Sequence, residues 1–132
     1  MYYEDMAGSM KIKCKVRSLE FETRPWGSYI VLVDSKKYKV KKLVLNPKKR
    51  FSLQYHKKRT ETWTMVCGKV LITIDSKRKV YQYGQTVSVK AGAVHRVENI
   101  GRKPAEIIEV QTGTYFGEDD ISRLEDDYGR IQ

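Results

Sequence analysis

The chain of 132 residues holds only two histidines, and each stands among side chains able to share a metal ion. His56 follows Gln54 by two positions on a segment that reads as a strand, so both side chains point to the same face. Glu61 comes after the basic turn Lys57-Lys58-Arg59 and begins the next strand, while His95 follows the glycine turn Gly92-Ala93-Val94. Imidazole, carboxylate and amide oxygen together suit a divalent ion such as zinc, cobalt, manganese, nickel or iron better than a soft-metal site does. Glu61 also shares an alternating face with Trp63 and Met65. An ionised carboxylate turned toward a core is costly unless it is paired or bound to metal. From spacing alone, a basic turn between two strands with structural histidines stays open beside the metal reading.

Strands must position these side chains. From about residue 28 to 112 the sequence runs as short segments rich in β-branched and apolar residues. Turn signals such as Asn46-Pro47, Cys67-Gly68, Asp75-Ser76, Tyr83-Gly84 and Ala91-Gly92 separate them. Many short strands without a convincing long helix indicate an all-β sandwich or barrel. The stretch 117–127, GEDDISRLEDD, has the composition of a short C-terminal helix with acidic residues near its start.

Composition bounds the rest. The length fits one domain with a core of its own. No apolar run approaches the ~20 residues a membrane span needs, and MYYEDMAGSM lacks the pattern of a secretory signal. Two cysteines, Cys14 and Cys67, form no CxxC, which fits a reduced, cytoplasmic protein; Cys67 reads as a small core residue. The net charge of +10 is uneven: residues 1–117 carry 24 basic and 10 acidic side chains (+14), residues 118–132 carry 2 and 6 (−4). A basic body attracts phosphorylated ligands or nucleic acid. The acidic tail and the lack of an aromatic-basic recognition motif argue against nucleic acid.

The spacing Gln54-X-His56-(X)4-Glu61-(X)6-Gly68 resembles the first motif of the cupins, with Gln54 where the family has its first histidine and without the leading glycine. Gly84-(X)5-Lys90-X-Gly92-(X)2-His95-(X)3-Asn99 resembles the second, with Lys90 in place of proline. Over residues 20–130 the chain looks like the cupin domain of type II phosphomannose isomerases. The matching blocks are RPWGSY at Arg24–Tyr29, YKVK at Tyr38–Lys41, LQxHxxRxExW at Leu53–Trp63 and IEVQxGxYxGEDDIxRxEDxYGR at Ile108–Arg130. Members often carry HHHRAEHW where this chain has His56 to Trp63, so the histidines replaced here are not available as ligands.

That resemblance implies a single jelly-roll cupin over 20–132, after an N-terminal arm or strand at 1–19. It implies a stand-alone mannose-6-phosphate isomerase, although the family domain is usually fused to a GDP-mannose pyrophosphorylase. The reaction would interconvert mannose 6-phosphate and fructose 6-phosphate through a cis-enediol(ate). Gln54, His56, Glu61 and His95 would hold the metal, a set of types that also occurs in the zinc site of type I enzymes. Arg59, within the HxxRxE pattern, would supply permanent positive charge to a phosphate or oxyanion. The base stays open among Lys90, Lys58, a tyrosine and a hydroxide; Lys58, Arg96 and Arg130 are candidates for the phosphate. Two other functions remain: a non-catalytic sugar- or metal-binding cupin, and a cupin acting on nucleotide-linked sugars. A homodimer is expected, since pairing two barrels covers exposed sheet edges.

Overall fold

The computed structural model describes residues 20–131 in full, together with the backbone of two short N-terminal strands. These are β1 (Tyr2–Glu4) and β2 (Met10–Ile12), an antiparallel pair. The rest of the segment before Glu20, with Cys14 and the expected arm, lies outside the described residues. From there the chain is β-strand and turn: β3 (Glu20–Arg24), β4 (Gly27–Asp34), β5 (Tyr38–Leu45), β6 (Leu53–Tyr55), β7 (Arg59–Cys67), β8 (Lys69–Ile74), β9 (Lys77–Gln82), β10 (Thr86–Val89), β11 (His95–Asn99), β12 (Ala105–Gly113) and β13 (Ser122–Glu125).

Two antiparallel sheets face each other. One has the order β10-β7-β12-β5-β4-β3, the other β13-β6-β11-β8-β9. From β5 onward the chain crosses between the sheets at every connection except the β8–β9 hairpin, as in a jelly roll, and the expected all-β cupin architecture is what forms. Between the sheets lie Leu43, Leu45, Phe51, Trp63, Met65, Val70, Ile72, Val97 and Ile107, all buried.

The inner face is not uniform along the strands. On β5, β7 and β12, alternate residues are buried: Lys41, Leu43 and Leu45; Arg59, Glu61, Trp63 and Met65; Ala105, Ile107, Glu109 and Gln111. Register aligns Ile107 with Leu43 and Met65, Glu109 with Lys41 and Trp63, and Gln111 with Glu61. One end of the barrel is therefore apolar and the other is charged, because directly opposed residues share a face.

Two expectations are corrected. No α-helix occurs among the described residues; 117–127 forms turns and β13, which pairs with β6. Its acidic side chains have tertiary partners that a free helix would forgo. Asp120 accepts the backbone N–H of Lys57 and Lys58 at 3.0 and 2.9 Å, Glu125 accepts from Arg96 at 3.1 Å, and Asp127 from Arg50 at 2.7 Å. Cys67 is exposed rather than in the core. An irregularity in the β7–β12 pairing sets Cys67 opposite the outward Glu106, while Met65 stays opposite the inward Ile107.

Candidate metal centre

His56 directly follows the short strand β6, and β11 begins at His95, which pairs with Gln54. A hydrogen bond from Gly92 N to His56 O, 2.7 Å, ties the turn before His95 to the one after His56. Glu61 arrives from the opposite sheet on β7. His56, Glu61 and His95 each offer a ligand atom, and those atoms lie within 4.8 Å of one another. All three residues are buried.

Each imidazole has its proton placed by a backbone carbonyl. His56 Nδ1 stands 2.6 Å from Asp120 O, and His95 Nδ1 stands 2.9 Å from Ala93 O. A carbonyl only accepts, so each Nδ1 carries the hydrogen and each Nε2 presents its lone pair in the neutral ring. Those lone pairs aim at Glu61 Oε1, 3.3 Å from His56 and 3.4 Å from His95. His95 Nε2 is buried with no hydrogen-bond partner among the described residues. Three electron-pair donors converging in a buried place repel one another unless a metal ion or a proton sits between them. The residues therefore fit a divalent metal, with Nε2 of both rings and Oε1 of Glu61 as donors.

The other carboxylate oxygen is already occupied. Glu61 Oε2 accepts from Arg59 Nε and from Gln111 Nε2, each at 3.1 Å. These two donors orient the carboxylate so that Oε1 alone faces the histidines. Burial works against ionising Glu61, yet His56, His95 and Arg59 together hold its pKa well below the usual carboxylate range. Burial also works against charging His56, and Glu61 outweighs it, so the His56 pKa is raised. Gln54 Nε2 lies 3.4 Å from His56 Nε2, and its Oε1 accepts from Ser52 Oγ at 2.6 Å. A half-turn of the carboxamide would present oxygen to the metal, with the Ser52 hydroxyl then accepting instead of donating.

Arg59 reaches its place because the backbone beside it is open. Gly113 pairs with Arg59, and a Cβ at Gly113 would stand 2.2 Å from Lys58 O and 2.9 Å from Arg59 Cα. The Arg59 guanidinium is buried and also donates to Gly117 O at 3.1 Å. It lines the cavity over the centre, but its fixed partners are Glu61 and the chain itself. Arg130 lines the same cavity. Lys58 and Lys90 are exposed and do not line it. Arg96 faces away from His95, its neighbour on β11, and fastens β13 by donating to Phe51 O and Glu125. The expected phosphate or proton roles of Lys58, Lys90 and Arg96 thus have no geometric support.

Several residues on the cavity wall escaped the sequence reading: Arg24, Lys41, Glu109, Glu118 and Arg123. Lys41 is buried, lies 4.2 Å from the Tyr29 ring centre and forms an ion pair with Glu118. Glu109 accepts from the Trp63 indole N–H at 2.8 Å and from Gln111 Nε2 at 2.7 Å. One amide nitrogen thus joins Glu61 to Glu109. The signal for Lys41, Glu109 and Gln111 was present: each continues the period-two inward face of its strand.

The Glu109 carboxyl is pushed up to about 7, by burial first and by the charge of Glu61 next, against the pull of Lys41. Its folded pKa lies above its ordinary value of 4.5, so the native state holds the proton more tightly. The stability this gives is complete below the unfolded pKa and is lost as pH rises through about 7. Metal-free protein should lose about 3 kcal/mol from this group between about pH 5 and 8, at about 1.36 kcal/mol per pKa unit. Urea unfolding across that range checks it. Glu109→Gln should flatten the slope, and an unchanged slope would remove Glu109 as its source.

Among solved structures, oxalate decarboxylase from Lactobacillus farciminis matches with a TM-score of 0.70 at 18% identity, covering 80% of this chain and 33% of the other. A double-stranded β-helix protein from Klebsiella pneumoniae matches at 0.64 and 20% identity, covering 73% and 82%. These likenesses establish the cupin fold alone. In sequence, the alginate biosynthesis protein AlgA of Pseudomonas aeruginosa is 46% identical over 107 residues, which is 81% of this chain and 22% of AlgA. A mannose-1-phosphate guanylyltransferase of Klebsiella pneumoniae is 39% identical over 107 residues, 81% of this chain and 23% of the relative. The chain thus spans less than a quarter of the length of these relatives. Several are named for guanylyl transfer, a different reaction from the isomerisation that the sequence resemblance implied. That finding overturns the expectation of a mannose-6-phosphate isomerase, and relatives of this size give the stand-alone form no support. The matching family model, described as mannose-6-phosphate isomerase C-terminal, spans residues 12–126, and the chain belongs to that family.

Proposed function

We propose that the chain is a metal-holding cupin that binds a mannose-type sugar carried on phosphate, on the nucleotide-sugar side of metabolism. The observation that carries this is the convergence of two imidazole lone pairs and one carboxylate oxygen at the charged end of the barrel. The relatives support the sugar class, being mannose-1-phosphate guanylyltransferases and polysaccharide-biosynthesis proteins by name. His56, Glu61 and His95 hold the ion, with Gln54 as the fourth donor. When bound, the ion supplies Lewis acidity toward sugar oxygens.

The chain's own groups do the rest. Arg59 and Gln111 keep Glu61 aimed with a single oxygen inward. Glu109 holds a proton near neutral pH beside them. Arg24, Lys41, Arg123 and Arg130 line the cavity; Glu22, Glu118 and Asp126 pair with Arg24, Lys41 and Arg130, which leaves Arg123 to offer charge to a phosphorylated ligand.

Calorimetric titration of metal-free and zinc- or manganese-loaded protein with GDP-mannose and with mannose 1-phosphate tests this. Loaded protein should bind at least one of them, and metal removal should weaken that binding at least tenfold. Equal affinity with and without metal, or binding of neither ligand by loaded protein, sinks the proposal.

A further inference from the structure

The cavity above the metal centre shares part of its wall with a second one. The inner cavity is small, about 60 Å³, enough for an ion and a few water-sized groups. Outside it lies a groove of about 510 Å³, bounded by Glu118, Asp119, Ile121, Ser122, Arg123, Arg130 and Ile131. Glu118, Ile121, Arg123 and Arg130 line both. The two arginines therefore stand at the passage between a metal pocket too small for a whole sugar nucleotide and a groove of much larger volume.

Strand register explains why. Arg123 on β13 pairs with Gln54 on β6, and Gln54 pairs with His95 on β11. Arg123, Gln54 and His95 thus form one row across three strands, with their side chains on one face. The metal donors occupy one part of this row, and Arg123 continues it outward to the groove.

Arg123 is held by no ion pair among the described residues. Its Nε is buried without a hydrogen-bond acceptor among the described residues. Burial and the nearby like charge of Arg130 weigh against its guanidinium. A buried N–H donor on a cation, left without an acceptor, is expensive. Arg130 is held in place differently: Asp126 receives its Nε and Nη2 at 2.8 and 2.9 Å, and its guanidinium lies over the Tyr128 ring. Two guanidinium groups near each other, one with an unpaired buried Nε, match the oxygens of phosphate groups.

We infer that the ligand is a nucleoside diphosphate sugar lying across this passage, with sugar hydroxyls toward the metal, the diphosphate on Arg123 and Arg130, and the nucleoside in the outer groove. This rests on reading the inner cavity as a metal-dependent sugar site, and it adds the diphosphate and the second compartment. A sugar monophosphate would place hydroxyls toward the metal and its phosphate at the arginines, with no nucleoside for the outer part of the groove.

Titration of metal-loaded protein with GDP-mannose, mannose 1-phosphate, GDP and inorganic pyrophosphate tests the arrangement. GDP-mannose should bind at least tenfold tighter than mannose 1-phosphate, and pyrophosphate should compete with it. Arg123→Ala should weaken GDP-mannose and pyrophosphate at least tenfold while metal stoichiometry and thermal stability stay unchanged; Arg123→Lys should recover part of the loss. If Arg123→Ala unfolds the protein, the Arg123→Lys and Arg123→Gln pair supplies the comparison. His95→Ala should remove metal while GDP and pyrophosphate binding persists. Loss of metal dependence with the Arg123 effect intact overturns the metal reading and leaves the diphosphate site standing. Equal binding of mannose 1-phosphate and GDP-mannose, or GDP-mannose binding indifferent to Arg123, overturns the inference itself.

Discussion

Glu61→Gln is expected to abolish tight metal binding and to destabilise the metal-free protein by about 3–5 kcal/mol, the usual cost of leaving a buried ion without its partner. Arg59 is the ion left behind. It is buried, its Nε donates to Glu61 Oε2 at 3.1 Å, and no other carboxylate pairs with it among the described residues. A glutamine keeps the shape and offers one oxygen, but it brings no charge for a cation or for Arg59. The two losses separate by experiment. Metal content after dialysis against zinc reports the first, and urea unfolding without metal reports the second. Glu61→Gln protein that retains one equivalent of zinc would remove Glu61 from the ligand set. A stability loss below about 1 kcal/mol would show that Arg59 is satisfied elsewhere.

Trp63→Ala carries the second large effect. The indole is 1% exposed, lies edge-on to His95 with ring centres 5.5 Å apart, and donates to Glu109. Removing so large a buried ring costs about 3–5 kcal/mol. Trp63→Phe divides that figure. It keeps most of the packing against His95 and Phe51 but loses the N–H, leaving Glu109 Oε2 without that donor. We expect about 1–3 kcal/mol for the lost donor and a further rise in the Glu109 pKa, read by carboxyl carbon NMR chemical shift. A Trp63→Phe variant as stable as the parent, with Glu109 titrating unchanged, would show that the indole acts by volume alone.

Much of the site was legible before the fold. His56, Glu61 and His95 announced themselves by residue type, since a chain with two histidines placed one before a basic turn that leads to an inward carboxylate and the other just after a glycine turn. Alternation gave Glu61, Trp63 and Met65 a common face, and the strands keep it. The C-terminal stretch misled: acidic residues near a helix start are also acidic residues able to accept backbone N–H groups, and Asp120 does so at the Lys57-Lys58 turn. Lys58, Lys90 and Arg96 were plausible by charge, but charge does not tell where a side chain is set: Lys58 and Lys90 lie exposed between strands. Arg96 follows His95 and so points the other way. Lys41 and Glu109 were hidden for the opposite reason. Their charge suggested a solvated surface, and only pairing β5 and β12 around the inward row shows that the barrel turns polar at that end. Arg123 needed the long-range pairing of β13 with β6, which local pattern does not encode.

The Asp120 contacts have a temporal consequence. His56 Nδ1 is oriented by a carbonyl 64 positions further along the chain, and the adjacent turn is braced by the same residue's carboxylate. During synthesis the sequence motif around His56 leaves the ribosome long before that brace exists. The metal centre can therefore close only after residue 120 has emerged and β13 has docked beside β6. An ion captured earlier would meet an imidazole free to present either nitrogen.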